Sequence, residues 1–267
     1  MKPHSRRPIL LLVTLLGAPA LAQESPIEDN SFLIEEAYNQ GSGVVQHIST
    51  FERPDQGSDW SFTFTQEWPA PSQRHQLSYT VPILRSGTRD GVGDLALNYR
   101  YQLLGVEGGP IAFAPRLSLL LPTGDDEKGL GVGAPGLQVN LPVSVVLRDR
   151  LVGHWNLGGT YTRSARGPGG AKADTNSVQI GQGLIFLASP TFNVMLEAVW
   201  ARDEVVTGNG RTRHEESLIL SPGMRFAINL PSGLQIVPGV AVPIGLGPSE
   251  GERSLFLYLS FEHPFGH

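Results

Sequence analysis

From about residue 44 to the end of the chain, apolar and polar residues alternate with a period of two. DLALNYRYQL is the cleanest case: Leu95, Leu97, Tyr99, Tyr101 and Leu103 share one face, and Asp94, Ala96, Asn98, Arg100 and Gln102 the other. Period two is the mark of a β-strand with one apolar face. The pattern recurs in WSFTFTQEW, QLSYTVPI, LQVNLPVSVVLR, TFNVMLEAVW and SLFLYLSFEHPF. Including weaker segments such as VVQHISTF, about twelve strands are expected, each long enough to cross a bilayer at a tilt.

The chain opens with MKPHSRRPILLLVTLLGAPALAQ, a basic start followed by a short apolar run and the small-residue ending Ala20-Leu21-Ala22. That is the pattern of an export signal cleaved after Ala22, and the run is too short for a spanning helix. Residues 1–22 carry Lys2, Arg6 and Arg7 and no acid, so cleavage takes the formal charge from −5 to −8. With that charge and no basic stripe, a nucleic-acid partner is not expected. The chain has no cysteine, which excludes disulfides and thiolate metal sites. Beyond residue 22 there is no run of 18 apolar residues, so no spanning helix is expected. The other structure that satisfies its backbone in lipid is a closed β-barrel.

Two further features favour a barrel over a soluble sandwich, which would also alternate. Aromatics sit near the strand ends, as interfacial girdles do: Trp60, Trp68, Tyr99, Tyr101, Trp155, Tyr161 and Trp200. Short connections (GVEGG, RDR, ASP, LPSG) also alternate with longer polar ones, including TGDDEKGLGVGAPG, RSARGPGGAKADTN and RDEVVTGNGRTRHEE. An even strand count then puts both ends of the barrel on the periplasmic side. The expected organisation is a signal peptide (1–22), an N-terminal periplasmic segment and candidate plug (23–43), and a bacterial outer-membrane barrel (44–267). Its partners would be outer-membrane lipid, a small-molecule substrate and the barrel-insertion machinery. That machinery reads a terminal aromatic, and Phe265 stands near that place.

Three stretches, SFLIEEAYNQGSGVVQHISTF (31–51), GVGDLALNYRYQLL (91–104) and PRLSLLLPTG (115–124), resemble the meta-pathway phenol-degradation family of outer-membrane transporter-like proteins. The resemblance implies a barrel that passes small apolar or aromatic compounds, and it implies no catalytic residues.

Other motifs point to no chemistry. GVGAPG (131–136) matches a dinucleotide fingerprint in letters, but it contains Pro135 and leads into a strand rather than a helix. DDEKG (125–129) lacks the spaced acids of a calcium loop. No G-x-S-x-G elbow occurs, and the histidines are scattered, so no catalytic, cofactor or metal site is expected.

Strand parity leaves Glu67, Asp94, Asn98, Arg100, Arg116, Asn140, Arg148 and Glu197 as lumen-lining candidates, together with Gln138, Asn156 and Gln179. They would either line a passage or fill the interior with a salt-bridge network. Glu35 and Glu36 are a candidate periplasmic gate. The alternative, slightly favoured, is a solvated leader before the first strand. A channel is the leading functional expectation, against a structural or adhesive barrel and an outer-membrane hydrolase.

Overall fold

The computed structural model describes residues 29–106 and 108–265; the expected signal peptide lies outside them. Twelve antiparallel strands close into one barrel. Seven are unbroken; five of these are β1 (Val44–Pro54), β2 (Trp60–Pro69), β3 (His75–Ser86), β7 (Leu151–Arg166) and β8 (Lys172–Ser189). β4 runs through Arg89–Val92 and Leu95–Tyr101, β5 through Ile111–Phe113 and Arg116–Leu121, and β6 through Gly136–Asn140 and Val143–Arg148. The remainder are β9 (Phe192–Gly208), β10 (Arg211–Phe226 and Ile228–Asn229), β11 (Gln235–Ala241 and Ile244–Gly245) and β12 (Ser254–Pro264). Three of the interruptions contain Pro115, Pro142 and Pro243, which have no N–H to give the ladder. Each strand pairs with its sequence neighbour, and β12 returns to β1 over the whole register from Val44↔Pro264 to Pro54↔Ser254.

The alternation decides which way each side chain points. Leu97, Leu157, Ile180, Leu255 and Leu257 stand on the outer surface, 42–53% exposed. Arg100, Ser118, Asn140, Asn156 and Glu197 on the intervening positions are buried inside. An apolar exterior around a polar interior is a surface made for lipid. Arginine in place of Leu257 is therefore expected to cost about 2–4 kcal/mol in vesicle-reconstituted urea unfolding, and arginine in place of the inward Thr63 much less.

One prediction about the connections is corrected. The segments read as long loops at 163–176 and 202–216 are strand for most of their length, and the true connectors are 167–171 and 209–210. Polar partners face each other across the hairpin, Arg202 with Glu216 at 4.0 Å and Glu204 with His214 at 3.8 Å. Such cross-strand pairs support a ladder in water as apolar pairs do in lipid. The hairpin turns at Asn209-Gly210, with Gly210 at φ 63°, the backbone a tight two-residue turn needs. The 17 residues of β9 span about 56 Å at about 3.3 Å each. Tilted by about 40°, they rise well beyond an apolar belt about 25 Å tall. The asymmetry between the two rims thus lies in projecting strands as well as loops. The rim carrying Val44 and Pro264, with tight turns at 149–150 and 190–191, is the periplasmic one.

Candidate functional site within the lumen

Residues 29–43 are not a solvated leader. They run inside the barrel as an irregular loop that rises from the periplasmic rim and returns to it, with its apex near Leu33 and Ile34. Asp29, Ser31, Phe32, Ile34, Glu36, Ala37, Asn39 and Gln40 are all buried. An extended chain sends successive side chains to opposite sides, and the neighbouring glutamates use this. Glu35 reaches Arg100 on β4, 2.8 Å away, and Arg116 on β5, 2.6 Å away. Glu36 reaches Arg225 on β10, 2.9 Å away. β4 and β10 are six strands apart in a ring of twelve, so the two ion pairs grip opposite walls and the segment spans the lumen between them.

The rest of the segment is held as closely. The backbone N–H groups of Phe32, Leu33 and Ile34 donate to the Glu197 carboxylate at 3.3, 3.0 and 3.2 Å. Three consecutive amides converging on one carboxylate make an anion-binding nest, here turned round so that the wall supplies the anion. The Glu35 amide donates to Asn156 Oδ1 (2.8 Å) and the Ala37 amide to Ser144 Oγ (2.8 Å). The Asn39 and Gln40 amides donate to Gln102 and Gln76, each at 2.7 Å. Ser144 shares a 2.7 Å hydrogen bond with His154 Nδ1, and Tyr38 sits edge-on over that ring. With no regular structure of its own, the segment satisfies its backbone through wall side chains, as a buried loop must.

Its apolar residues fit sockets left by glycine. A Cβ on Gly239 would lie 2.5 Å from the Phe32 ring, and one on Gly223 2.9 Å. Gly181 and Gly183 leave the same room for Ile34. Phe32 also packs against Phe256 and Tyr258, with ring centroids 5.6 and 5.3 Å away, in a cluster with Ile48, Ile185, Met195 and Val237. Valine at Gly239 should therefore dislodge Phe32, because the ring and the side chain cannot share that space. The expected result is faster proteolysis within 29–43 by a protease added to the purified protein, with the barrel band intact.

The candidates chosen by strand parity fall into three groups. Asn98, Arg100, Arg116 and Asn140 gather around Glu35: Asn98 accepts from Arg116 at 2.9 Å, and Asn140 donates to Glu35 at 2.8 Å. Glu67 lies buried beside Gln76, whose amide donates to it at 2.7 Å, and Glu197 holds the apex. Asp94 instead binds the amides of Gly124 and Val132, at 2.9 and 2.8 Å, and so anchors the 122–135 loop. Arg148 is exposed at the periplasmic end of β6. Sequence reasoning passed over Asp29, Gln46, Gln102, Ser144, His154 and Arg225. Parity in SLILSPGMRFAINL puts Arg225 inward and could have found it.

Beyond the segment, towards the extracellular rim, the lumen holds two cavities that share Leu33. One, about 450 Å³, is lined by Leu33, Val199, Ile219 and Pro243, with Glu52 and Arg253 at its edge. The other, about 320 Å³, is walled by Thr50, Thr63, Thr65, Thr80 and Ser78 and floored by Glu35, Arg100 and Arg116.

The structure is similar to that of an outer membrane channel from Pseudomonas putida F1, with a TM-score of 0.62 at 13% identity over 86% of this chain and 98% of that one. It is also similar to the KdgM porin in complex with disordered oligogalacturonate, at 0.52 and 8% identity over 83% and 99%. The chain is an outer-membrane β-barrel. No protein-family model matches it, and no curated protein sequence does. Three stretches far apart in the chain meet inside this barrel: Glu35 comes from 31–51, Arg100 from 91–104 and Arg116 from 115–124.

Proposed function

We propose that this barrel is a passive channel for the uptake of small, hydrophobic or aromatic compounds, with residues 29–43 as its periplasmic gate. The observation that carries the reading is the pair of cavities above that segment. Their volumes suit a small organic molecule, and one wall is apolar and the other rich in hydroxyls. The similarity to a channel and a porin agrees with it. The hydrolase alternative has a Ser–His neighbour in Ser144 and His154, but both are wholly buried beneath Ala37 and Tyr38 and face no cleft where a substrate could react.

The test is uptake into liposomes carrying the chain, corrected for leak through protein-free lipid. Phenol should enter faster than a small sugar, and deletion of residues 29–43 should speed both. Equal rates in the intact protein would mean an unselective pore. No entry above background in either form would overturn the channel and leave a structural barrel.

A further inference from the structure

The contacts around Glu35 are those of a bound carboxylate. Arg116 Nε donates to both carboxylate oxygens at 2.8 and 3.0 Å. Arg100 Nη2 donates to Oε2 at 2.8 Å, and Asn140 Nδ2 to Oε1 at 2.8 Å. Side-on and forked guanidinium contacts with an amide donor beside them are how proteins hold a carboxylate ligand.

Two features separate this from an ordinary structural ion pair. First, the wall positions Arg116 without help from Glu35. Its Nη1 donates to Asn98 Oδ1 at 2.9 Å and to Ser118 Oγ, and its Nη2 donates to Gln138 Oε1 at 2.9 Å. If Glu35 leaves, the guanidinium stays aimed. Second, the cluster is open on one side. The Glu35 side chain is 21% exposed, against 4% for Glu36, and Glu35, Arg100 and Arg116 all border the hydroxyl-walled cavity. A solute from the extracellular rim meets the arginines and their present occupant together.

We propose that Arg100, Arg116 and Asn140 form a binding site for a small organic carboxylate, occupied here by Glu35 as a tethered stand-in. An entering carboxylate displaces Glu35, charge for charge, and weakens the hold on residues 29–43. The inference rests on the channel reading and names a solute class for it: a monocarboxylate with a compact apolar body, which the Phe32, Leu33, Ile34 and Ile48 side of the hydroxyl-walled cavity bordering the arginines can take. Such a ligand shifts the segment because it binds only where Glu35 has left.

Benzoate and benzyl alcohol separate charge from shape. Ser31 is buried and the chain has no cysteine, so Ser31→Cys gives a single thiol that a soluble maleimide reaches only when the segment undocks. Benzoate at neutral pH should speed labelling on the order of ten-fold, benzyl alcohol should not, and Arg116→Gln should abolish the benzoate effect. In calorimetric titration, Glu35→Gln should bind benzoate about ten-fold more tightly than the unaltered chain, since the tethered competitor is gone. A purely structural pair would not give that gain. No acceleration by benzoate, equal acceleration by the alcohol, or unchanged or weaker binding to Glu35→Gln would overturn the proposal. The Glu35→Gln measurement decides the matter if Arg116→Gln does not fold. Phenol uptake without any benzoate response would sink this inference and leave the channel standing.

Discussion

Deletion of residues 29–43 should raise single-channel conductance in planar bilayers by about an order of magnitude, because twelve strands enclose more space than the filled eight-stranded barrels do. The barrel should survive the loss. Its outer belt and the β1–β12 ladder from Val44↔Pro264 to Pro54↔Ser254 lie outside the deleted residues. The seam loses the Asp29 side-chain contacts and the bond from the Phe265 amide to the Gly43 carbonyl but keeps that ladder, and water entering the lumen can solvate Glu197, Arg225 and Asn156 once they lose their partners. Heat-modifiable migration on gels would show that the barrel is still folded. Unchanged conductance would mean that the wall side chains close the lumen unaided.

Arg225→Met should be the most damaging single substitution for docking of the segment. The Arg225 and Glu36 side chains are 1% and 4% exposed, and Arg225 Nη1 also donates to the Asn30 carbonyl at 3.0 Å. Removing one partner of a buried pair costs about 3–5 kcal/mol, since the other is left as an uncompensated charge. The cheapest relief is for Glu36 to leave for water and take the segment with it. At about 1.4 kcal/mol per decade, the undocked population should grow by about two to three and a half orders of magnitude. Hydrogen exchange should show this at the amides of Phe32, Leu33 and Ile34, with the strands still protected. Adding Glu36→Leu should restore much of the lost protection, because an apolar pair of similar volume replaces the ion pair. Equal acceleration in the strands would show instead that the segment holds the wall together.

The barrel was legible in the sequence because lipid imposes one rule on every strand. The outward positions of Leu95–Tyr101 in β4 and of 255–261 in β12 contain no charge, so Leu97 and Leu257 announce their face unaided. The projecting hairpins were not legible, since above the lipid that rule lapses. There Arg202, Glu204, His214 and Glu216 pair across the ladder and read as loop by polarity alone, although Asn209-Gly210 carried the turn signal. The lumen was half legible. Parity put Arg100, Arg116 and Glu197 inside, but parity is silent about what they touch. Glu35 and Glu36 stood out as a pair of acids, and their burial followed from arginines 65 or more residues away on opposite walls. Distances of that kind are set by closure of the ring and leave no local trace.

Asp29 joins matters usually treated apart. It accepts from Gln46 on β1 at 2.5 Å and from Tyr258 and Ser260 on β12 at 2.5 and 2.6 Å. β1 and β12 are the first and last strands to be synthesised, and their meeting completes the ring. One carboxylate on the inner side of that join binds both edges. The seal of the cylinder and the seat of the segment therefore share one carboxylate. A chain whose segment is misplaced lacks this carboxylate, which bridges the two edges on the inner side of the seam.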